Sequence, residues 1–236
     1  MRNETTESTY DFDRIVAAVL GDEGESASFH FPSTTDVLLE YFSAYVSNLE
    51  KHLEAERSRA RERLEFHPEA RAYLEEHLFV IESIFPNLLR SSLVVSVYTV
   101  LENGLRNRCD CLQNWKGCPF SADEIAERGN VPKYKKHVER LTDIRFQQIG
   151  EWRQLEAHGE IRNRIVHNQG QINPSNTSLV EFIHRAPYLH IVDGRITFEQ
   201  GACQAFIDTV RRFLEALDKR LPTECSDLET HFGFRP

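Results

Sequence analysis

The chain has 236 residues, of which 40% are hydrophobic and 28% are charged. This length and composition fit one globular domain with a substantial core and exclude an intrinsically disordered chain. The formal net charge of −9 excludes a surface that attracts nucleic acid over its whole area, so a polyanionic partner has to be held at a local basic site.

Residues 1–35 are predicted to form a separate N-terminal region. The first residues, MRNETTEST, are expected to be disordered and lack the apolar segment of a signal peptide. Asp11–Leu20 predicts a short helix, and the acidic GDEGESAS after it predicts a flexible loop. The odd number of cysteines, five, without a secretion signal favours free thiols in a reducing cytoplasm. We therefore expect a cytoplasmic protein.

A helical bundle is predicted for residues 36–221. Its first helix begins at Asp36 with apolar residues at intervals of three and four, and its charged continuation EAERSRARERL is expected to project into solvent. Pro68 begins the next helix. Pro86 is expected to break or kink the chain, because proline fits the first turn of a helix and not its interior. The helix after it, about Asn87–Leu112, is the most apolar and is placed at the centre.

The apolar run within that central helix, Ser91–Leu101, is too short to span a bilayer, so no membrane partner is expected. Three cysteines follow it, Cys109, Cys111 and Cys118. A Cys-x-Cys followed by one further cysteine lacks the paired ligand spacing of zinc sites, and no second Cys/His pair follows at finger distance. The sequence therefore predicts neither a metal nor a cofactor.

The second half of the bundle begins with SADE at Ser121–Glu124, a capping box that opens a short helix before the basic stretch VPKYKKHVERL. The next helix runs from about Ile144 to His167, and Gly159 within it marks either a kink or a close helix contact. Asp193-Gly194 between two short extended runs predicts a type I′ hairpin at about 187–198.

The last helix, about Glu199–Leu221, ends at Pro222, and residues 222–236 form a loose tail. The predicted fold is therefore all-α, a helical bundle with a small β-hairpin before the last helix.

One stretch of this bundle, Glu160–Gly170 (EIRNRIVHNQG), holds a set of side chains that suits chemistry on an anion. Asn163 and His167 are four residues apart and so lie on one helix face, and the long side chain of Arg162 reaches the same patch. Arginine supplies a planar, permanent positive charge for phosphate oxygens. Histidine transfers protons near neutral pH, and asparagine orients the imidazole or holds a substrate group.

A structural interpretation of the same side chains stays open, because a histidine on an amphipathic helix is most often a surface or capping residue. The chain contains its own comparison. Leu105–Asn114 (LRNRCDCLQN) repeats the Arg-Asn-Arg triplet, with Cys111 at the position that corresponds to His167. Arg106 and Arg108 of that copy are predicted to be surface residues or part of a dimer rim rather than a second site.

RNRIVHNQG resembles the signature of the HEPN superfamily, compact α-helical bundles found in many prokaryotic toxins and antiviral systems. Active members carry an arginine, four to six intervening residues and a histidine, commonly with asparagine directly after the arginine. Arg162, Asn163 and His167 match this pattern at its shortest spacing. Trp152 upstream and Gly170 after the histidine also fit, and the similarity of the bundle covers about residues 36–220.

The resemblance implies a metal-independent endoribonuclease that acts as a homodimer with a composite active site. In such enzymes the RNA 2′-hydroxyl attacks the adjacent phosphodiester and leaves a 2′,3′-cyclic phosphate and a 5′-hydroxyl. By this resemblance His167 is the acid/base group, Arg162 stabilises charge in the transition state, and Asn163 orients His167 or the phosphate. A toxin or abortive-infection effector is implied, with RNA and an antitoxin or another defence-system component as partners.

The chain departs from the family at one position. Members paired with a nucleotidyltransferase antitoxin often carry a modified tyrosine two residues after the histidine, where this chain has Gln169, so regulation by that route is not expected. Supporting roles are assigned to Glu102, which pairs with a motif arginine or is solvated, and to His158 at the border of the cleft. Further RNA contacts are expected from Arg164, unless Glu160 neutralises it, and from Lys133, Lys135 and Lys136.

Two other functions remain open. The first is a HEPN-like module without catalysis that binds RNA, a nucleotide or a protein partner through the same cleft. The second is an ordinary helical scaffold whose motif match is accidental. Convergence of Arg162 and His167 across a two-fold interface would exclude the scaffold, and RNA cleavage that His167→Ala abolishes would establish the enzyme.

Overall fold

Helices make up most of the chain that the structure, a computed structural model, describes, which is residues 34–222 and Cys225. The predicted all-α class is therefore confirmed. The helix predicted at Asp11–Leu20, the loop after it and nearly all of the tail lie outside the described residues. The elements in chain order are α1 (Thr34–Phe66), α2 (Arg71–Phe79), α3 (Phe85–Lys116), α4 (Asn130–Leu141), α5 (Trp152–Asn168), α6 (Thr177–Arg185), β1 (Leu189–Val192), β2 (Arg195–Phe198) and α7 (Ala202–Asp218).

Helix α3 lies at the centre of the bundle, as its apolar sequence predicted. It contacts α1, α4, α5 and α7, and it buries Val94, Val97, Leu101 and Leu105 completely. An aromatic cluster closes one part of the core, where the ring of Phe146 lies 5.0 Å from Trp152 and 5.3 Å from Phe213 between ring centroids. Burial of this continuous apolar face is the main source of stability in such a bundle.

The chain does not break at Pro86. Helical structure runs from Arg71 to Lys116 through a π-helical turn at Val80–Ile84. The N–H of Phe85 bonds to the carbonyl of Val80, five residues back, so the hydrogen-bond register shifts by one residue directly before the proline. A π turn of this kind accommodates the missing N–H of the proline, so of the predicted break or kink, the break does not occur and the helix continues.

The helical stretch Pro68–Lys116 is long and apolar enough to cross a membrane, by length and composition alone. The apolar run Ser91–Leu101 is therefore part of a longer helix than the sequence suggested. The core helix of a bundle meets the same criterion, so this is weak evidence for a membrane role. Only 28% of the apolar window is buried, because α3 exposes Phe85, Leu88 and Leu89 along one side.

Two buried arginines tie α3 to its neighbours. Arg90 donates to Glu50 of α1 at 2.8 and 2.7 Å and to the carbonyl of Phe198 at 2.9 Å. Arg108 is 3% exposed and forms a two-point ion pair with Asp218 at the end of α7. The predicted surface position of Arg108 is therefore wrong, because Asp218 brings a carboxylate to it inside the bundle. Arg106 lies at the surface as predicted and pairs with Asp123 at 3.1 Å.

The hairpin is confirmed, and it holds the chain that leaves α5. Asp193 and Gly194 have φ of 50° and 72°, as a type I′ turn requires, and Leu189 pairs with Phe198. Beyond the end of α5, the N–H of Ile172 bonds to the carbonyl of Gly194 at 2.9 Å. The hairpin thus fixes the backbone that follows the motif.

The prediction misplaced the start of one helix and missed another helix. Helix α5 begins at Trp152 rather than Ile144, because the chain before it forms a 3₁₀ turn at Phe146–Gln148 whose first N–H bonds to the carboxylate of Glu139 at 3.0 Å. Helix α6 was not predicted, although Asn176 is an N-cap that accepts the N–H of Leu179 at 3.3 Å. Its nine residues are too few for a clear helical period.

Candidate functional site

The predicted site residues lie along one edge of α5. The opposite face of this helix is buried through Leu155, His158 and Ile161, while Asn163 and His167 are exposed and Arg162 is half-buried at the boundary. The helix ends at Asn168, the residue after His167, and Gln169 then adopts a left-handed conformation with φ of 52°. His167 therefore stands in the last turn, where the helix dipole favours a positively charged group.

The guanidinium of Arg162 is held by neutral groups. Its Nη1 donates to Oδ1 of Asn163 at 3.1 Å, and its central carbon lies 6.0 Å from the ring centroid of Tyr98. Its Nε is buried and has no hydrogen-bond partner within the described chain. Because no carboxylate of the described residues pairs with Arg162, its terminal N–H groups can bind an anionic ligand.

Asn163 contacts Arg162, so the structure links the two adjacent motif residues. The side chain of His167 makes no hydrogen bond to any residue that the structure describes. The amide of Asn163 thus holds the arginine, whereas the sequence predicted that it orients His167 or the phosphate, and the imidazole lies one turn later on the same edge.

Tyr98 on α3 is the site residue that sequence reasoning missed. A Cβ added at Gly159 would lie only 2.6 Å from Oη of Tyr98 and 3.2 Å from its Cζ, so the glycine is a close helix contact and α5 continues through it without interruption. Burial, followed by the charge of Glu102, raises the pKa of Tyr98 to about 12, and Arg162 opposes this shift. The hydroxyl therefore stays protonated, and the ring forms a neutral wall beside Arg162.

A groove begins at these residues and runs along α5 away from His167. It has a volume of about 810 Å³ and lies between α5, α6 and the start of α4. Tyr98, Glu102, Arg162 and Asn163 line it, and His167 does not. The motif therefore stands at the end of an elongated cleft rather than inside a closed pocket.

The two carboxylates near the motif, Glu102 and Glu160, do not form ion pairs with its arginines within the described residues. Glu102 lines the groove with Arg162, and no ion pair joins the two among residues 34–222. Glu160 accepts a hydrogen bond from Nδ2 of Asn176 at 2.7 Å rather than pairing with Arg164, which leaves the charge of Arg164 available.

The lysines of α4 also separate. Lys136 pairs with Glu127 at 2.6 Å, and neither Lys136 nor Lys133 lines the groove, whereas Lys135 does. The sequence could not distinguish the three, because their helical phase relative to α5 is set by packing.

His158 lies in the core and not at the border of the cleft, so its predicted position needs correction. It is 1% exposed and stacks on Phe206, with ring centroids 3.5 Å apart and planes within 9°. Its Nδ1 has no hydrogen-bond partner in the described part of the chain. Desolvation by burial lowers the pKa of His158 to about 3, because the buried site disfavours the charged imidazole.

Within the described residues, no group of three or more His, Cys, Asp or Glu side chains is arranged to hold a metal ion. Comparisons of the chain with models of protein families, with curated proteins and with solved structures give no match. The function is therefore argued from the motif and the geometry around it.

Replacing Gly159 with alanine is expected to destabilise the protein by about 1–3 kcal/mol, because the new methyl group overlaps the hydroxyl of the partly buried Tyr98 and presses on its ring. Tyr98→Phe in the same chain removes the nearest atom and should recover part of that loss. Chemical denaturation of the variants measures the effect. Gly150→Ala is the matched control, since a Cβ there meets no atom within 4 Å. Equal stability of the Gly159 and Gly150 variants would contradict the contact.

The buried imidazole of His158 predicts a loss of stability in acid. Its pKa is about 3 in the fold and 6.5 in the unfolded chain, so below pH 6.5 only the unfolded chain takes up the proton. The free energy of unfolding should therefore fall by about 2 kcal/mol between pH 7.5 and pH 5 on account of this group. His158→Leu should flatten the pH dependence by that amount in urea titrations at both pH values. An unchanged slope would show that the imidazole is protonated in the fold.

Proposed function

We propose that the protein is a metal-independent endoribonuclease of the HEPN type, an RNA-cleaving toxin or antiviral effector, with Arg162, Asn163 and His167 as its catalytic residues. The observation that carries the proposal is the half-buried side chain of Arg162, whose guanidinium bonds to Asn163 and forms no ion pair within the described residues, on the same helix edge as the exposed imidazole of His167. The resemblance of RNRIVHNQG to the HEPN signature supports RNA cleavage as the reaction of Arg162 and His167.

The proposed reaction uses one phosphodiester and no added reagent. A histidine removes the proton of the ribose 2′-hydroxyl, and the 2′ oxygen forms a bond to phosphorus as the bond to the 5′ oxygen breaks. A protonated imidazole delivers a proton to the departing 5′ oxygen, which leaves a 2′,3′-cyclic phosphate and a 5′-hydroxyl. Arg162 donates to the non-bridging oxygens, where negative charge grows in the transition state. Asn163 keeps Arg162 in place through their hydrogen bond.

A second copy of the chain completes the proposed site. The reaction needs one group that removes a proton and one that delivers a proton, and the motif contains one histidine, His167, per chain. Exposed apolar side chains are available for self-association, since α3 exposes Phe85, Leu88 and Leu89 and α5 exposes Val166 beside His167. Exposed apolar side chains that lie together, as the three of α3 do, are typical of an interface.

A binding module without catalysis is the second candidate. The observation that favours it is that His167 makes no hydrogen bond to a described residue, whereas a catalytic imidazole usually has a partner that orients it. In that case Arg162 and the groove hold RNA, a nucleotide or a protein partner, and no bond is broken.

His167→Ala is expected to lower the rate of RNA cleavage about 10²- to 10⁴-fold, because a positioned acid/base group is removed. Arg162→Ala should cost about 10²- to 10³-fold through the loss of transition-state stabilisation. The assay uses total RNA in EDTA, followed by analysis of the new ends for a 2′,3′-cyclic phosphate.

Arg106→Ala is the matched control for Arg162→Ala, because Arg106 also precedes an asparagine on a helix but pairs with Asp123 at the surface. Its cleavage rate should stay within about threefold of wild type. Equal cleavage by wild type and His167→Ala, or no cleavage by either, would contradict the proposed endoribonuclease and favour the binding module.

A further inference from the structure

The groove beside α5 carries cationic side chains that have no carboxylate partner. Arg128 before α4 and Arg153 at the start of α5 form no ion pair within the described chain. Lys135 of α4 lies 5.0 Å from the ring centroid of Trp152 and likewise meets no carboxylate. These three side chains are available to an anionic ligand that lies in the groove.

The carboxylates of the groove are more fully engaged. Glu181 pairs with Arg185 at 3.1 Å, and Glu160 accepts from Asn176 at 2.7 Å. Glu102 and Glu156 complete the acidic lining. Carboxylate oxygens accept hydrogen bonds from hydroxyl and amino groups, so they suit a ligand that carries donors beside its phosphates. A ribose chain has both kinds of group.

The position of the groove relative to the motif sets its role. Arg153 precedes Asn163 by ten residues, which corresponds to about 15 Å along the helix axis. The groove covers this distance on the side away from His167, and its floor is apolar at Leu155 and Val131. A strand whose scissile phosphate lies at Arg162 therefore has an open path on that side.

We propose that this groove binds the single-stranded RNA on one side of the cleaved phosphodiester, with Arg128, Lys135 and Arg153 contacting its phosphates. The position of the cleaved phosphodiester rests on the proposed function, whereas binding of RNA in the groove does not require cleavage. Lys133 and Lys136, which point elsewhere on α4, make no such contact. The groove accommodates a few nucleotides of one strand.

The test measures binding of a fluorescent 2′-O-methyl oligoribonucleotide of about 12 nucleotides, which the proposed reaction cannot cleave because its 2′ oxygens are blocked. Lys135→Ala combined with Arg153→Ala should raise Kd about tenfold at low salt. It should also reduce the slope of log Kd against log salt by about 1.4, since each lost contact to a single strand removes about 0.7. Thermal unfolding of each variant confirms that it is folded.

Lys133→Ala combined with Arg140→Ala is the matched control, because it removes the same charge from the basic helix outside the groove lining. Its Kd should stay within about twofold of wild type. Equal weakening by both pairs would mean general attraction to a basic surface and would overturn the proposal. So would unchanged binding by the groove pair, or no binding of the oligonucleotide by wild type.

Cleavage assays on the same preparations distinguish this proposal from the proposed enzyme. Groove-dependent binding without any cleavage of unmodified RNA would contradict the proposed endoribonuclease and support the groove as an RNA-binding site. Cleavage with an unchanged KM in the Lys135→Ala, Arg153→Ala variant would contradict the proposed role of the groove and support the endoribonuclease. Cleavage with a raised KM and little change in kcat supports both.

Discussion

The contact between the Tyr98 ring and the bare backbone at Gly159 sets how closely α3 and α5 approach. A side chain at position 159 would occupy the place of the Tyr98 hydroxyl, so only glycine allows this spacing. Three residues later, the guanidinium of Arg162 reaches the same ring and takes Asn163 as its hydrogen-bond partner. The position of the charge at the motif thus depends on a contact inside the bundle, and the groove along α5 begins where that contact ends.

The two Arg-Asn-Arg triplets show how packing separates identical sequences. In the first, Arg108 is buried against Asp218 and Arg106 pairs with Asp123, so both charges are used by the fold. In the second, Arg162 bonds to the neutral Asn163, lies beside the Tyr98 ring and forms no ion pair with any described residue. The attraction within a buried ion pair mainly offsets the free-energy cost of removing both charges from water. An arginine without a carboxylate partner can instead bind a substrate anion. The partners of the arginines, and not the triplet itself, therefore distinguish the first triplet, which stabilises the fold, from the second, which has the proposed function.

The fold could be predicted where local chemistry decides it. Asp193-Gly194 determined the hairpin, and the apolar residues of α3 determined its central place. Tyr98, the burial of Arg108 and His158, and the choice of Lys135 over its neighbours could not be predicted, because each depends on the rotation of one helix against another. The π turn before Pro86 was missed for a related reason: sequence shows that proline interrupts the hydrogen bonds, but not that a shifted register can absorb it.

The most direct test of this account is the single-turnover rate of RNA cleavage at saturating RNA for Gly159→Ala, compared with Gly150→Ala. If the Tyr98–Gly159 contact positions Arg162, the folded Gly159 variant should react about 10- to 100-fold more slowly, because displacement of a positioned group by about 1 Å has effects of that size. Gly150→Ala should react at the wild-type rate, and Tyr98→Phe should restore part of the activity of Gly159→Ala. A folded Gly159→Ala protein that cleaves RNA at the wild-type rate would contradict the account.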